Sequence, residues 1–246
     1  MKTSLAFLAA LGLSACSAGK ADENMDTAQQ ADVGLFTSLP IYWGDGADIG
    51  SILNGNGETD WVRSQIERRF AIVPLDALGP ELLAGTDRLI LAQPRPLAPS
   101  ENVALDRWVR GGGRLLVFAD PMLTRHSDFA LGDKRRQQDV VVLSPILARW
   151  GLELFFDENQ PSGERWVKAY DGQFPVNLAG HFELRVPGEE SQCIVSETGL
   201  LAQCKVGKGR VTLLADAALL DWDSEEEVPA KRSSALDSII ASALDF

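Results

Sequence analysis

The stretch from Asp87 to Pro121 constrains the fold of this chain more than any other part of it. It contains an apolar run at Leu89–Ala92, a turn with two prolines, an amphipathic helix from Pro99 and a second apolar run at Arg114–Ala119. Short runs that are apolar without alternation are typical of strands covered on both faces. Two such strands joined by a helix form a parallel crossover unit, which is almost always right-handed. The sequence therefore predicts an α/β fold built on a mostly parallel sheet.

The remaining segments extend this unit. Hydrophobic periodicity and turn residues predict further strands at 35–43, 71–75, 152–156, 181–186 and 211–215. The same patterns predict helices at 61–70, 140–150 and 233–246, with Thr59 or Asp60 as the cap of the first. We expect a long loop at 122–139 and an irregular segment at 157–180.

The N-terminal residues have the pattern of an export signal. Lys2 precedes a short apolar stretch, and Leu13-Ser14-Ala15-Cys16 forms a cleavage site of small residues. This tetrapeptide resembles the lipobox of bacterial lipoproteins, in which the cysteine is lipidated; a plain secretory signal is the alternative. We therefore divide the chain into a signal peptide at 1–15, a lipidated Cys16 with a flexible tether at 16–33, and a single α/β domain at 34–246. A lipoprotein on the periplasmic side of the cell envelope is expected, and Ser17 favours the outer over the inner membrane.

The charge of the chain limits its partners. Its formal net charge is −12 at pH 7. An acidic protein repels phosphate backbones, so nucleic acid is not an expected partner. The membrane, reached through the lipid anchor, and another envelope protein are the partners that the sequence favours.

The two cysteines beyond Cys16 fit an exported protein. Residues 192–206 have the pattern of a hairpin with Thr198 and Gly199 at its turn, and this register places Cys193 opposite Cys204. Opposed residues on neighbouring strands are close enough for a disulfide, whereas a slip of one residue would separate the thiols. We expect a disulfide between Cys193 and Cys204, with two buried free thiols as the alternative.

Several phrases together resemble one family. Thr86–Pro94, Leu105–Gly113 and Arg114–Pro121, followed by Ser144–Leu152 and Gly207–Asp216, resemble the soluble domain of gliding-motility-type auxiliary components of ABC transporters. The resemblance spans residues 35–222, and its motifs are structural rather than catalytic. It implies a flavodoxin-like, class I glutamine-amidotransferase-like layered sheet, mostly parallel, with a C-terminal β-hairpin. It also implies a possible role beside a transporter.

Patterns for catalysis, cofactors and metals are missing from the sequence. The turn that would carry an amidotransferase nucleophile, Ala92–Arg95, has no thiol or hydroxyl, and no Gly-x-Ser-x-Gly motif occurs. His126 and His181 are far apart and form no zinc motif. The loop Gly44–Gly50 departs from the dinucleotide pattern, and its aspartates would repel a pyrophosphate. We therefore predict no cofactor, no metal and no catalytic residue.

A binding crevice is the remaining expectation. In open α/β sheets, ligands bind beyond the carboxyl ends of the strands, near the point where strand order reverses. The residues that the pattern delivers to this place are Trp43, Asp45, Gln93, Arg95, Asp120 and Asp216. They could hold a sugar or peptide; alternatively, Trp43 belongs to the core and the polar residues cap loops. The sequence favours a non-catalytic envelope lipoprotein that binds a ligand or partner. A hydrolase of envelope glycan or peptide using Asp120 and Asp216 is the alternative.

Overall fold

The computed structural model describes residues 30–44, 59–127, 129–186, 188, 190–222 and 226–245. The signal peptide, Cys16 and the tether up to Gln29 lie outside the described residues. In chain order the strands are β1 (Ala31–Thr37), β2 (Phe70–Pro74), β3 (Arg88–Ala92), β4 (Arg114–Phe118), β5 (Leu152–Phe156), β6 (Arg165–Ala169), β7 (Gly172–Val176), β8 (Gly180–Leu184), β9 (Ser191–Val195), β10 (Leu201–Val206) and β11 (Gly209–Leu214). The helices are α1 (Trp61–Glu67), α2 (Pro80–Leu83), α3 (Pro99–Gly111), α4 (Ser144–Trp150), α5 (Ala230–Leu244) and the short 3₁₀ helix η1 (Ala218–Leu220).

Seven of the described strands form the central sheet, in the order β2-β1-β3-β4-β11-β10-β9. The strands from β2 to β11 in this order are parallel, and β10 and β9 are antiparallel. The expected mixed α/β architecture with a mostly parallel central sheet is therefore present. The hairpin of β9 and β10 extends the sheet at one end.

The β3–α3–β4 unit lies at the centre of the sheet, as its apolar runs predict. Leu89 and Leu115 are fully buried, and Arg88–Ala92 pairs in parallel register with Arg114–Phe118. Gly113 follows α3 because a Cβ there would lie 2.5 Å from the indole of Trp108. The indole Nε1 of Trp108 in turn donates to Thr86 O at 2.9 Å, which fixes the helix to the loop before β3.

Helices cover both faces of this sheet. On one face α5 packs on β4 and β11 beside α1, where Leu236 and Ile240 meet Ile90 and Phe118. On the other face α3 contacts β11 and α4. Asp106 joins these two helices: its carboxylate accepts hydrogen bonds from Arg110 Nε at 3.0 Å and from the buried Trp150 Nε1 at 3.0 Å.

Three expectations about the elements need correction. The segment 157–180 contains the hairpin of β6 and β7 and is not irregular. β5 and β8 form a two-stranded sheet of their own and do not join the central sheet. The first strand begins at Ala31, inside the expected tether, and ends at Thr37 because the chain turns before Pro40. Pro40 lacks the amide N–H that a continuing strand would need.

The disulfide is present in the expected register. Cys193 lies opposite Cys204 in the β9–β10 ladder, and their Cα atoms are 4.0 Å apart. Among the residues that the structure describes, no helix has the length and apolar character needed to span a bilayer.

Candidate functional site

The carboxyl ends of β1, β3, β4 and β11 meet at one edge of the sheet, because these strands are parallel. The chain leaves β1 for β2 on one side, and β3 then pairs with β1 on the other side. Ligands of open α/β sheets bind beside such a reversal of strand order. The residues selected from the sequence follow strands that end here, so this edge is the candidate site.

Gln93 directly follows β3 and is completely buried. Its backbone has a φ of +45°, an unusual value for a residue with a side chain. Its side-chain Nε2 donates to Asp120 O at 3.0 Å and to Gln138 O at 2.8 Å, and its Oε1 accepts from Asp120 N at 2.9 Å. The amide of Gln93 thus joins the ends of β3 and β4 to the loop before α4.

Asp120 follows β4 and is 1% exposed. Its Oδ1 accepts from Met122 N at 2.8 Å, and its Oδ2 accepts from Ala217 N at 3.1 Å. Both carboxylate oxygens therefore hold backbone amides, one in the loop after β4 and one in the turn after β11.

Asp216 follows β11 and has no exposed surface. Its Oδ1 accepts from Ala218 N at 2.5 Å, and its Oδ2 accepts from Asn177 N at 3.0 Å. Asn177 is the residue after β7, so Asp216 ties the β6–β7 hairpin to the edge of the central sheet.

Burial governs the electrostatics of the two aspartates. It raises the pKa of Asp120 to about 6, against the hydrogen bonds from Met122 and Ala217, and the charge of Asp221 adds to the increase. Burial and then the charge of Asp120 raise the pKa of Asp216 well above its ordinary value. The two carboxylates interact, and a proton held by either of them relieves the repulsion between them.

A buried arginine holds η1 and the β6–β7 hairpin beside these carboxylates. Arg232, on α5, is 1% exposed and donates to Ala218 O at 2.5 Å and to Asp221 O at 2.9 Å. Its guanidinium also pairs with Glu164 at the start of β6. Arg232 therefore fixes η1 and the β6–β7 hairpin in place over the strand ends.

Arg95, which the sequence placed in the crevice, contacts the adjacent helix α3. Its guanidinium forms a two-pronged ion pair with Glu101 of α3, with both N–O distances at 2.8 Å, and lies 4.9 Å from the ring centre of Phe36. The hydrogen bond from Arg95 lowers the pKa of Glu101 to about 2, against the effect of burial. Arg95 thus joins the β3–α3 turn to the helix, and its side chain remains 40% exposed.

Trp43 lies in the turn after β1 and is 58% exposed, so it does not belong to the core. Its ring meets the ring of Tyr42 edge-on, with the centres 4.8 Å apart. Asp45 lies outside the described residues. The structure therefore brings Gln93, Asp120 and Asp216 together, and it places Arg95 and Trp43 with other partners.

The chemical capacity of this edge follows from these contacts. The oxygens of Asp120 and Asp216 and the amide of Gln93 all hold other groups of the protein. Cys193 and Cys204 form a disulfide, so neither is a thiol nucleophile. Within the described ranges, no group of three or more His, Cys, Asp or Glu side chains is placed to hold a metal ion.

Sequence reasoning did not select the groups that complete this edge. Gln138, Asn177 and Ala217 act through their backbone atoms, which any residue type except proline supplies. Arg232 lies about a hundred residues beyond Asp120 in the chain. The available signal was the arginine itself, which occupies the buried face of an otherwise apolar helix stripe.

The fold and this edge define a mixed α/β protein with a mostly parallel sheet. No family model matches the sequence, and no curated protein matches it. Solved structures are similar to this chain only at TM-scores below 0.5. A β-galactosidase from Rahnella species is 13% identical, with 87% of this chain and 31% of that chain covered at a TM-score of 0.49.

Two further structures are similar to a lesser degree. An exo-β-1,4-mannosidase from an Opitutaceae bacterium is 15% identical, covering 87% of this chain and 34% of that one at a TM-score of 0.43. A ThuA-like protein from Bacteroides uniformis is 10% identical. The match covers 88% of this chain and 93% of that chain at a TM-score of 0.43. The chain spans about a third of the length of the glycosidases that it matches.

Proposed function

We propose that this chain is a non-catalytic lipoprotein of the cell envelope whose α/β domain binds a ligand or a protein partner. An accessory role beside an ABC transporter is the form of this function that the sequence resemblance favours. We assign the domain to the flavodoxin-like, class I glutamine-amidotransferase-like architecture. The order of the parallel strands, β2-β1-β3-β4-β11, supports this assignment, because it is the flavodoxin-like order when the parallel strands are counted along the chain.

The observation that carries the proposal is the backbone conformation of Gln93 together with the hydrogen bonds of its side chain. Catalytic scaffolds of this kind place a nucleophile on a strained turn between a strand and a helix. Gln93 occupies such a turn, between β3 and α3, at a φ of +45°. Its side chain has no nucleophilic atom, and its amide is engaged by Asp120 and Gln138. The turn therefore has a strained backbone but carries a structural residue instead of a nucleophile, and this supports binding as the function.

A ligand at this edge would first meet the exposed groups. Trp43 and the guanidinium of Arg95 present surface to solvent, whereas Gln93, Asp120 and Asp216 lie beneath the loops. An aromatic ring and a cation are suited to a sugar or a peptide.

The cellular setting is a further part of the proposal. Lipidation of Cys16 would hold the domain at the periplasmic side of a membrane, most simply the outer membrane. The Cys193–Cys204 disulfide supports an oxidising compartment.

The test is recovery of a partner with the anchored protein. The full chain with a C-terminal tag is cross-linked in cells and purified from the membrane fraction, beside a Cys16→Ser variant. We expect wild type in the membrane fraction with a specific cross-linked partner, and Cys16→Ser in the soluble periplasmic fraction without it. Equal membrane recovery of both forms would contradict the anchor, and wild type without a cross-linked partner would contradict the binding function.

A hydrolase of envelope glycan or peptide is the second candidate. The interaction between Asp120 and Asp216, with the pKa of Asp120 raised to about 6, is the observation that favours it. An open depression of about 460 Å³ lined by Arg165 and His181 lies on the neighbouring hairpins, and the charge of Arg165 acts on Asp216. Release of soluble fragments from purified envelope glycan by wild type, and its loss in a folded Asp120→Asn variant, would establish this candidate in place of the first.

A further inference from the structure

The face of the sheet under α5 remains open beyond that helix. α5 packs on β4 and β11, and the sheet continues past it through β10 to β9. A groove of about 790 Å³ lies there, between the end of α5 and the outer strands. Its polar lining includes Gln192, Gln203, Lys205, Lys208, Arg210 and Ser242.

Cations lie side by side across four neighbouring strands on this face. Arg88 of β3 pairs with Arg114 of β4, Arg114 with Arg210 of β11, and Arg210 with Lys205 of β10. Residues paired in this way have their side chains on the same face of the sheet. Like charges in directly opposed positions destabilise a sheet, so a row of them requires compensation.

The carboxyl end of α5 compensates only one half of this row. Arg88 Nε and Arg114 Nη1 each donate to Leu244 O at 3.1 Å, where the helix ends with its negative dipole. Arg210 and Lys205 lie beyond that point and are exposed.

Acidic groups that would complete the compensation lie elsewhere. Asp237 of α5 and Asp245, the residue after this helix, pair with Arg68 and Arg69 next to β2, at the opposite end of the sheet. Within the described part of the chain, no carboxylate lies within ion-pair distance of Lys205, Lys208 or Arg210. Glu190 lines a smaller adjoining groove of about 410 Å³ and is the one acidic residue of its lining. This end of the sheet is therefore locally basic on a protein whose net charge is −12.

The groove also borders the last strand of the sheet. β9 pairs only with β10 among the described strands, and β8 and α4 also contact it. A terminal strand offers backbone groups along its outer side. Ile194, whose side chain is 57% exposed, adds an apolar contact on the groove face.

We propose that the groove and the β9 edge bind an extended acidic segment of a partner protein. Its backbone adds alongside β9 as a further strand, its carboxylates pair with Lys205 and Lys208, and Arg210 adds to the positive potential of the groove. The backbone groups of the terminal strand β9 match those of a polypeptide and not a lipid headgroup, so a peptide is the occupant that this surface favours. A second copy of the chain would bring another row of cations to the same sheet, which charge repulsion disfavours.

This inference goes beyond the proposed function and does not depend on the crevice. The row of cations formed by Arg88, Arg114, Arg210 and Lys205 lies where β3, β4 and β11 begin. Gln93 and Asp120 lie beyond the opposite, carboxyl ends of β3 and β4. The groove could bind an acidic segment whether or not Cys16 is lipidated.

The probe is a fluorescent peptide of alternating Val and Glu, titrated with the full chain at low ionic strength. We expect saturable binding that Lys205→Glu/Arg210→Glu weakens at least about tenfold, whereas Lys134→Glu, a charge reversal on a distant exposed loop, leaves it within about twofold. A peptide with the same sequence but N-methylated at every amide keeps its charges and has no backbone N–H to donate to β9, so it should bind at least about tenfold more weakly.

The contrary outcomes are equally definite. Failure of the peptide to bind, or equal weakening by Lys134→Glu, would overturn the proposal. Unchanged binding of the N-methylated peptide would overturn strand addition. Binding to phosphatidylglycerol vesicles that is stronger than peptide binding and lost in Lys205→Glu/Arg210→Glu would assign the surface to lipid. Dimerisation in sedimentation velocity that is lost in the same variant would assign it to a second copy.

Discussion

Gln93 and Asp120 close a ring of two hydrogen bonds between neighbouring strands. The side-chain Nε2 of Gln93 donates to Asp120 O at 3.0 Å, and its Oε1 accepts from Asp120 N at 2.9 Å. A single glutamine thereby satisfies both backbone groups of a residue that is almost completely buried. This ring lies at the turn between β3 and α3.

Replacing Gln93 with Ala should destabilise the protein. The change leaves the N–H of Asp120 and the C=O of Gln138 without their partner in a buried setting, whereas the C=O of Asp120 still accepts from Val141 N at 3.0 Å. Each unsatisfied buried group costs about 1–3 kcal/mol, so we expect a loss of about 3 kcal/mol in the free energy of unfolding. Denaturation in urea measures the change. Gln192→Ala, on the exposed face of β9, is the matched control and should alter it by less than about 0.5 kcal/mol; equal stability of the two variants would contradict the structural role of Gln93.

Asp120 should make the protein less stable as the pH rises. Its pKa in the folded state is about 6, above the ordinary 3.8, so the folded protein holds a proton that the unfolded chain releases. The resulting stabilisation is complete below pH 3.8 and is lost as the pH rises through about 6.

The Asp120→Asn variant isolates this effect. Asn stays neutral, so the variant should gain about 3 kcal/mol relative to wild type between about pH 4 and pH 7. Urea denaturation at a series of pH values gives the difference. A difference that does not change with pH would show that the Asp120 carboxyl titrates normally.

Glu101 should show the opposite dependence on pH. Its pKa is lowered to about 2 by the hydrogen bond from Arg95, so its stabilisation is present above its ordinary pKa of 4.5 and lost as the pH falls through about 2. Glu101→Gln should therefore cost about 1–2 kcal/mol at neutral pH and progressively less in acid. Glu183→Gln, at an exposed carboxylate of β8, is the control. A loss of equal size at pH 7 and at pH 2 would assign the effect to packing instead of charge.

Reduction of the disulfide should destabilise the oxidised protein. Cys193 and Cys204 are separated by 11 residues along the chain. A closed loop of this length restricts the unfolded chain by about 3 kcal/mol, so thermal unfolding with and without reductant should differ accordingly. In Cys193→Ala/Cys204→Ala the reductant should have no effect; a reductant effect that persists there would mean that it acts elsewhere.

The sequence was most informative where local patterns determine structure. Leu89–Ala92 and Leu115–Phe118 have side chains that only a doubly covered strand can bury, and both strands lie at the sheet centre. The turn at Thr198-Gly199 fixed the register of the hairpin and therefore the pairing of Cys193 with Cys204. In these cases the residues that decide the structure are neighbours in the chain.

Long-range pairing could not be predicted in this way. β5 looks like any other buried strand, and its pairing with β8 outside the central sheet depends on where the chain returns. β6 and β7 were missed because they are five residues each and Pro175 interrupts the apolar pattern of β7. Short strands with a proline resemble loops.

Three of the six predicted site residues lie together in the structure, but their contacts were not predicted. Position after a parallel strand was enough to select Gln93, Asp120 and Asp216, and the structure brings these three together. It was not enough for Arg95, because Glu101 six residues later competes for the guanidinium. The aspartates accept hydrogen bonds from the backbone amides of Ala217 and Asn177, which no side-chain pattern reveals.

The most direct test compares the cross-linked partner recovered with wild type and with Asp120→Asn, both anchored in the membrane. It asks whether the edge at Gln93 and Asp120 is structural and whether the protein acts by binding. The account predicts the same partner at equal yield from both proteins, because Asp120 is buried and holds only backbone amides. Loss of the partner in an Asp120→Asn protein that is still folded would contradict it.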